Sequence, residues 1–311
     1  GDSVTDGDYN VAIGQDALAA ETRGNRAVAV GTDALGSQSN TSTADSLNVA
    51  VGSEAGLRLT TAIACTFVGD SAGANVSTGS TNTFIGASCG VGTSSNKLTG
   101  GNNTGVGQGV LQDIQGAANN NTVVGRDAGS EITTGTQNTA LGYLALSDCT
   151  TASNNTAVGV SSLENTTGDL NVALGITSGI GITSGSANVA IGYNTMATTC
   201  TGSNNTVVGR QAGDGLTSGS NNLLIGMDAG KSNSPSGTVA STSNLVVLGN
   251  NSITDIFCAD TTISSSDARD KTDVTDFTGG LDWVKALRPV TYKWDRRTWY
   301  GTEEDPYGTP D

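Results

Sequence analysis

The sequence predicts an all-β protein, a β-solenoid of about 13 to 14 rungs. Three observations carry this prediction: a short glycine-ended motif returns along most of the chain, its spacing is nearly constant, and the residues before each glycine are rich in Val, Ile and Thr. Only 4% of the 311 residues are aromatic and 14% are charged, which is low for a globular enzyme of this size. Most of the chain is therefore a repeat rather than a conventional globular core.

Each copy of the motif has five residues and ends in glycine, as in NVAIG at 10–14, NTALG at 138–142 and NTVVG at 205–209. A stretched last copy, NLVVLG, ends at Gly249. The thirteen regular copies end at the key glycines, which are Gly14, Gly31, Gly52, Gly69, Gly86, Gly107, Gly125, Gly142, Gly159, Gly175, Gly192, Gly209 and Gly226. Eight of the twelve intervals are 17 residues and the others are 16, 18, 21 and 21. A fixed period of this kind is typical of stacked repeat units.

Within each copy the second and fourth positions are Val, Thr, Ile or Leu, so these residues share one face of a five-residue strand. A small residue, usually Ala, follows three positions after the glycine, and the rest of the unit is rich in Gly, Ser, Thr and Asn. One unit is therefore a strand, a bend at glycine, a small-residue segment and a return loop. Its apolar face is covered only when units stack.

Two positions of the motif have predicted structural roles. Asn occupies the first position in eleven of the thirteen copies, which predicts a ladder of amides hydrogen-bonded from rung to rung. The glycine predicts a turn geometry that a Cβ atom would penalise. We also expect the narrow rod to share its core among several chains, most simply three.

The N-x-x-(V/I/L)-G-x-x-A pattern resembles the head repeats of trimeric bacterial adhesins, which are parallel β-rolls with a shorter period than this one. The resemblance implies a β-roll and a homotrimer.

Longer intervals add residues at 36–47, 90–102 and 231–243, all in the connecting half of their units. We expect these loops to leave the rod from one edge and to carry any ligand contacts that the rod makes.

Charge and composition exclude several classes of function. A net charge of −15 argues against a nucleic-acid partner, and no apolar run is long enough to predict membrane insertion. The absence of His excludes Ser-His-Asp and Cys-His catalysis, and we expect no metal and no cofactor. The cysteines form no CxxC pair, so they are interpreted as small buried residues of a protein that folds in a reducing cytosol; they are Cys65, Cys89, Cys149, Cys200 and Cys258.

The composition changes after Gly249, since eight of the 13 aromatic residues lie from 250 onward. Residues 266–311 carry ten acidic and seven basic side chains. GGLDWVKALRP at 279–289 predicts a short helix and VTYKW at 290–294 a strand, which together indicate a small α+β domain. The predicted organisation is a repeat shaft at 1–249, a connector at 250–265 and a second domain at 266–311.

SSDARDKTDV at 265–274 and ALRPVTYKW at 286–294 resemble the start of the intramolecular chaperone domain of phage tailspikes and tail fibres, the peptidase S74 family. The resemblance implies that Ser266 is a nucleophile and Lys271 its general base, with Asp267 and Arg269 in support. The implied reaction is one self-cleavage of the Ser265–Ser266 bond after trimer assembly. Because the family domain usually runs on for longer, residues 266–311 are expected to be its N-terminal part.

These observations favour a structural virion protein: the shaft and receptor-binding region of a trimeric phage tail fibre, assembled in the host cytoplasm. Its expected partners are two further copies, other tail proteins and a host receptor, a glycan or an outer-membrane component. Enzymatic activity is at most single-turnover autoproteolysis. Two alternatives stay open at this point, a tailspike that depolymerises polysaccharide and a bacterial trimeric adhesin. The first is disfavoured because the rod has no Trp and its carboxylates show no recurring pair.

Overall fold

A computed structural model of the chain describes residues 1, 3–40 and 42–255. These residues form fourteen strands of three residues each and no helix. The strands are β1 Val11–Ile13, β2 Val28–Val30, β3 Val49–Val51, β4 Thr66–Val68, β5 Thr83–Ile85, β6 Thr104–Val106, β7 Thr122–Val124, β8 Thr139–Leu141, β9 Thr156–Val158, β10 Val172–Leu174, β11 Val189–Ile191, β12 Thr206–Val208, β13 Leu223–Ile225 and β14 Val246–Leu248. Every copy of the glycine-ended motif, including the stretched last one, supplies one strand.

The fourteen strands form one sheet in sequence order, and every neighbouring pair is parallel. The repeat units are also in register: Thr139 lies opposite Thr156, Ala140 opposite Ala157 and Leu141 opposite Val158. Backbone hydrogen bonds continue between rungs in the connecting half, as from Thr60 N to the carbonyl of Ser77 at 2.9 Å. The predicted parallel β-solenoid of about 13 turns is confirmed.

The strands are shorter than the five-residue motif, and at the asparagine end side chains take part in the hydrogen bonding between rungs. The backbone N–H of Asn155 donates to Oδ1 of Asn138 on the rung before (3.0 Å). The Nδ2 atom of Asn138 donates to the carbonyl of Ala152 in its own return loop (2.9 Å). Repeated along the rod, these bonds form the predicted asparagine ladder, whose members from Asn48 onward are buried.

One asparagine of the ladder lacks a partner for its side-chain amide. Asn155 Nδ2 is buried and has no hydrogen-bond partner among the described residues. The partner carbonyl normally lies 14 residues further along, as Gly185 does for Asn171. The unit between Gly159 and Gly175 is the 16-residue one, so its shorter return loop displaces that carbonyl.

The other end of each strand stops at the key glycine. Gly192 has φ +135°, and a Cβ atom built there would lie 2.6 Å from the carbonyl oxygen of Gly209 on the next rung. Both the backbone conformation and the close approach of the next rung therefore require glycine. The predicted structural role of this residue is confirmed.

The middle residue of each strand points into the core. The first and third residues, which are the β-branched or aliphatic positions, lie on the opposite face. Each of β2 to β14 has a buried central residue between two less buried ones, as in Thr139–Leu141. The Val, Ile, Leu and Thr residues were predicted to form the apolar face that stacking would cover. They alternate as predicted, but they point away from the core.

Inside the core, the middle residue of each strand and the residue four after the key glycine compensate for each other in size. Ala157 is accompanied by Leu163, whereas Phe67 is accompanied by Gly73, where a Cβ would lie 2.6 Å from the Phe67 ring. Eleven of the thirteen units follow this rule, pairing Ala or Gly with Leu or Met, or pairing Phe, Val or Leu with Gly. Phe67 and Phe84 stack with ring centroids 5.7 Å apart.

The core closes within one chain. Phe67, Phe84, Leu146 and Ile182 are each 0% exposed in a single copy. A core shared between chains, expected from the thin rod, is therefore not what buries these side chains. Association between the described rods therefore has to use their outer surface.

Candidate functional site

The residues predicted to perform self-cleavage lie outside the described residues. They are the nucleophile Ser266, the base Lys271, the supporting Asp267 and Arg269, and Ser265 on the other side of the predicted cleavage bond. Their roles stay predictions. Within the described part of the chain, the candidates are its buried titratable groups, its surface and its loops.

Residues 1, 3–40 and 42–255 contain no group of three acidic or cysteine side chains placed to hold a metal ion. In the same part of the chain there is no helix of the length and hydropathy that crossing a bilayer requires.

Four cysteines lie in the core with free thiols: Cys65, Cys89, Cys149 and Cys200. Burial raises the pKa of Cys65 to about 11 and that of Cys89 and Cys149 to about 12, and it also raises the pKa of Cys200. Thiols in such surroundings are poor nucleophiles at neutral pH. The interpretation of the cysteines as small buried residues is confirmed for these four, and Cys258 lies outside the described residues.

Glu21 is the one carboxylate among the described residues with 0% exposure, and it is fully hydrogen-bonded. Its Oε1 atom accepts from the backbone N–H groups of Thr22, Arg23 and Gly24 at 2.7 to 3.0 Å, and Oε2 accepts from the side chains of Gln38 and Asn40. Burial alone would raise the pKa of Glu21, but these hydrogen bonds together outweigh it and hold the pKa below its ordinary value. Glu21 therefore holds a turn together, and both of its carboxylate oxygens are already engaged in hydrogen bonds within the chain.

The largest feature of the rod surface is the outward side of the sheet, formed by the first and third residues of β1 to β14. We call it the outer sheet face. All of these positions hold Val, Thr, Ile or Leu. The third position is aliphatic in every strand and remains well exposed in several, with Ile13 at 60%, Leu141 at 50% and Leu174 at 47%. The face is thus an uncharged strip running along all fourteen rungs.

The strip is wider in the second half of the rod. The residue that follows the key glycine is polar or small in the units of β3 to β6, such as Ser53 and Asp70. From β8 to β13 it is mostly large and exposed: Tyr143, Val160, Ile176, Tyr193 and Met227. We call these five residues the widened row. They were not predicted as a site from the sequence, although their position after the glycine is visible in the repeat.

No charged side chain lies on the outer sheet face, but two arginines hold the position after the key glycine: Arg126 precedes the widened row, and Arg210 interrupts it between Tyr193 and Met227. The Arg126 guanidinium lies 5.0 Å from the ring centroid of Tyr143 and pairs with Asp127 at 2.8 Å. The other ion pairs of the described residues, Arg23–Asp6, Arg26–Asp45 and Lys231–Asp214, also involve no strand residue. Charge is therefore carried by the flanks and loops of the rod.

The longer loops do not all enter the repeat unit at the same position. The seventh residue after the key glycine points into the core in most units, as Leu59 and Ile182 do. Extra residues 93–97 precede the equivalent buried Leu98, and 233–238 precede Val239, but the first insertion follows the buried Gln38. An insertion is therefore tolerated on either side of the inward residue that keeps the register, and the expectation that the loops share one edge stays a prediction.

The last loop forms a small pocket of about 130 Å³, lined by Asp214, Gly215, Lys231, Ser232 and Thr238. The Lys231 ammonium lies 3.1 Å from Asp214 across this pocket and neutralises it. Its size and internal pairing leave it without an evident ligand chemistry.

Comparison with known proteins identifies one segment. The family model described as chaperone of endosialidase, Peptidase S74, matches residues 266–309. The match begins at Ser266 and includes Asp267, Arg269 and Lys271, so the resemblance inferred from the sequence is confirmed for this segment. A search of curated proteins gives no match. The β-solenoid and the chaperone match together fit a protein of the tail-fibre or tailspike type.

Proposed function

We propose that the chain is the shaft and receptor-binding region of a trimeric phage tail fibre, carried in the virion and assembled in the host cytoplasm. In this proposal the segment from Ser266 templates the trimer, and a single self-cleavage then separates it from the rod. The observation that carries the proposal is the chaperone match at 266–309, which follows a fourteen-strand solenoid after a short connector. The rod supplies length and stiffness. Its partners are a host receptor and other tail proteins.

The proposed cleavage has a simple balance. Lys271 takes the proton of the Ser266 hydroxyl, and Oγ adds to the carbonyl carbon of Ser265. The carbon–nitrogen bond breaks, the Ser266 nitrogen takes up the proton, and the two residues are left joined by an ester. Water hydrolyses this ester to the Ser265 carboxyl group and the Ser266 hydroxyl. Lysine can act as the base only if its surroundings lower its pKa.

The three consecutive serines at 264–266 allow a matched experiment. The protein is expressed from its complete gene, and its subunit mass and oligomeric mass are measured. Wild type and Ser264→Ala should yield a rod subunit that ends at Ser265. Ser266→Ala and Lys271→Ala should yield an uncleaved chain that still forms trimers, because templating and cleavage are separate tasks.

Two outcomes would contradict the proposal. Release of the same fragment from Ser266→Ala and from wild type would remove Ser266 as the nucleophile. A wild-type protein that remains monomeric would remove the trimeric fibre itself. Adsorption of the purified rod to host cells, with competition against phage infection, tests the receptor-binding part.

A further inference from the structure

We propose that the outer sheet face is the surface along which three copies of this chain pack, parallel and in register, over the whole length of the rod. The inference rests on the proposed trimeric fibre and adds to it which face of the rod is buried and in which alignment. The composition of the face, its area and the periodicity that a partner has to match all support it.

The outer sheet face has the uncharged, aliphatic composition of an interface rather than that of a surface exposed to water. The chain carries 29 acidic and 14 basic residues, yet none lies at the first or third position of any strand. The central residues and the residues of the connecting half already close the core, so folding of one chain does not need aliphatic side chains outside. Soluble monomers rarely expose continuous apolar patches larger than a few hundred Å².

The available area is adequate for stable association. Fourteen rungs at about 4.8 Å give a length of about 65 Å, and three residues give a width of about 10 Å. The footprint is about 650 Å² before the widened row is included, and a stable interface buries about 800 Å² per partner. The outer sheet face and the widened row together reach that range.

The occupant has to match a face that repeats at every rung for about 65 Å. A second copy of this chain presents such a face with the same spacing, whereas a globular partner would cover only a few rungs. Thr and Val at the first strand position pack at the same height in each copy when the chains are in register.

The widened row fixes the direction. In a parallel arrangement Tyr143, Ile176 and Tyr193 of each copy lie level with the same residues of the others. In an antiparallel arrangement they would lie against the narrow half, where Ser53 and Asp70 occupy the equivalent position. Parallel packing therefore buries aromatic and aliphatic surface together and leaves Asp70 at the margin.

The test uses the full chain and two substitutions matched in exposure. Leu174 lies on the outer sheet face at 47% exposure, and Ile63 lies in a connecting segment at 46%. We expect Leu174→Lys to weaken the trimer at least tenfold, or to yield monomers, in sedimentation equilibrium. Ile63→Lys should sediment as the wild type does, and circular dichroism should show the same β-structure in all three proteins.

Alignment is tested with Val158→Cys, which adds one outward-facing thiol. Parallel chains in register place the introduced cysteine beside the same residue of a neighbouring copy, so mild oxidation should cross-link two chains at this position in high yield. A trimeric wild type with equal effects of the two lysine substitutions would overturn the inference while leaving the proposed fibre in place. Absence of this cross-link from a trimer of the Val158→Cys variant would overturn the parallel register, and a monomeric wild type would overturn the fibre and the inference together.

Discussion

The two faces of the single sheet differ in how their residues vary. On the inner face the middle strand residue ranges from Gly105 to Phe84, and each change in size is offset elsewhere in the core of the same unit in eleven of the thirteen units. On the outer face the residues hardly vary, although nothing in the described chain packs on them. Inner residues that vary in size and are compensated by their neighbours are constrained by packing within the chain. Outer residues that stay Val, Ile, Leu or Thr without packing on anything in the chain point instead to contacts with another molecule.

The largest expected effect comes from emptying the inner face. Phe67 is fully buried against Phe84, and Gly73 brings its backbone against the ring, so Phe67→Ala leaves a cavity that the rigid rungs cannot close. The free energy of unfolding in urea should fall by about 3–5 kcal/mol. The adjacent outward residue gives the control: Val68→Ala should cost about 1 kcal/mol or less in the isolated chain. Equal losses for the two variants would contradict the assignment of the faces.

Overfilling the inner face tests the compensation rule. Ala157→Phe inserts a ring beside Leu163, and the overpacking should cost about 1–3 kcal/mol. Leu163→Gly alone should also be destabilising, because it removes a buried side chain. The double variant recreates the pairing of Phe84 with Gly90 and should be more stable than the sum of the two changes indicates. Additive losses in this double-mutant cycle would show that the two positions do not share space.

A smaller effect on stability is expected from Glu21, the buried carboxylate on the inner side of the rod. The pKa of Glu21 is lower in the folded chain than in the unfolded one, so its stabilising contribution is present above about pH 4.5 and is lost as the pH falls through the folded pKa. Unfolding curves measured between pH 7 and pH 3 should show this loss. Glu21→Gln should lower stability at pH 7 by about 1–3 kcal/mol and flatten the profile. The exposed Glu131→Gln serves as the control for removing one negative charge, and a profile unchanged by Glu21→Gln would contradict the prediction.

The smallest effect is expected from the flanks of the rod. The Arg26–Asp45 pair has a separation of 2.9 Å, but its side chains are 56% and 40% exposed. Arg26→Gln should cost less than about 1 kcal/mol, and less still at high salt. A loss well above that figure would mean that surface charges, and not only the faces of the sheet, organise the rungs.

Much of the fold was accessible from the sequence because the period is anchored by glycine. The key glycines and the stretched last copy located all fourteen strands, and the asparagine ladder followed from one recurring position. The inward face was missed because alternation alone does not say which face is inside when one set of positions is β-branched and the other is Ala. The compensation between Ala157 and Leu163, against Phe67 and Gly73, was present in the sequence and would have identified the inner face.

One candidate site was recognised from the sequence and another was not. Ser266 and Lys271 were recognised from a motif with fixed spacing, and the family match covers both residues. The outer sheet face was visible as a run of Val, Ile, Leu and Thr, but without coordinates those residues were assigned to the core. The sequence located the longer loops along the chain, but it shows only the length of an insertion and not on which side of the inward residue the insertion lies.

The in-register stacking of the rungs also has a mechanical meaning. Hydrogen bonds between rungs run along the rod, so a pull on its ends loads the few bonds of one rung at a time instead of shearing the whole sheet. A rung that detaches gives up about 4.8 Å of rod and releases 17 residues of chain, about 55 Å when extended. A single rod under tension would lengthen in steps of about 50 Å for the 17-residue units and longer steps for the units with insertions, dissipating work at each step.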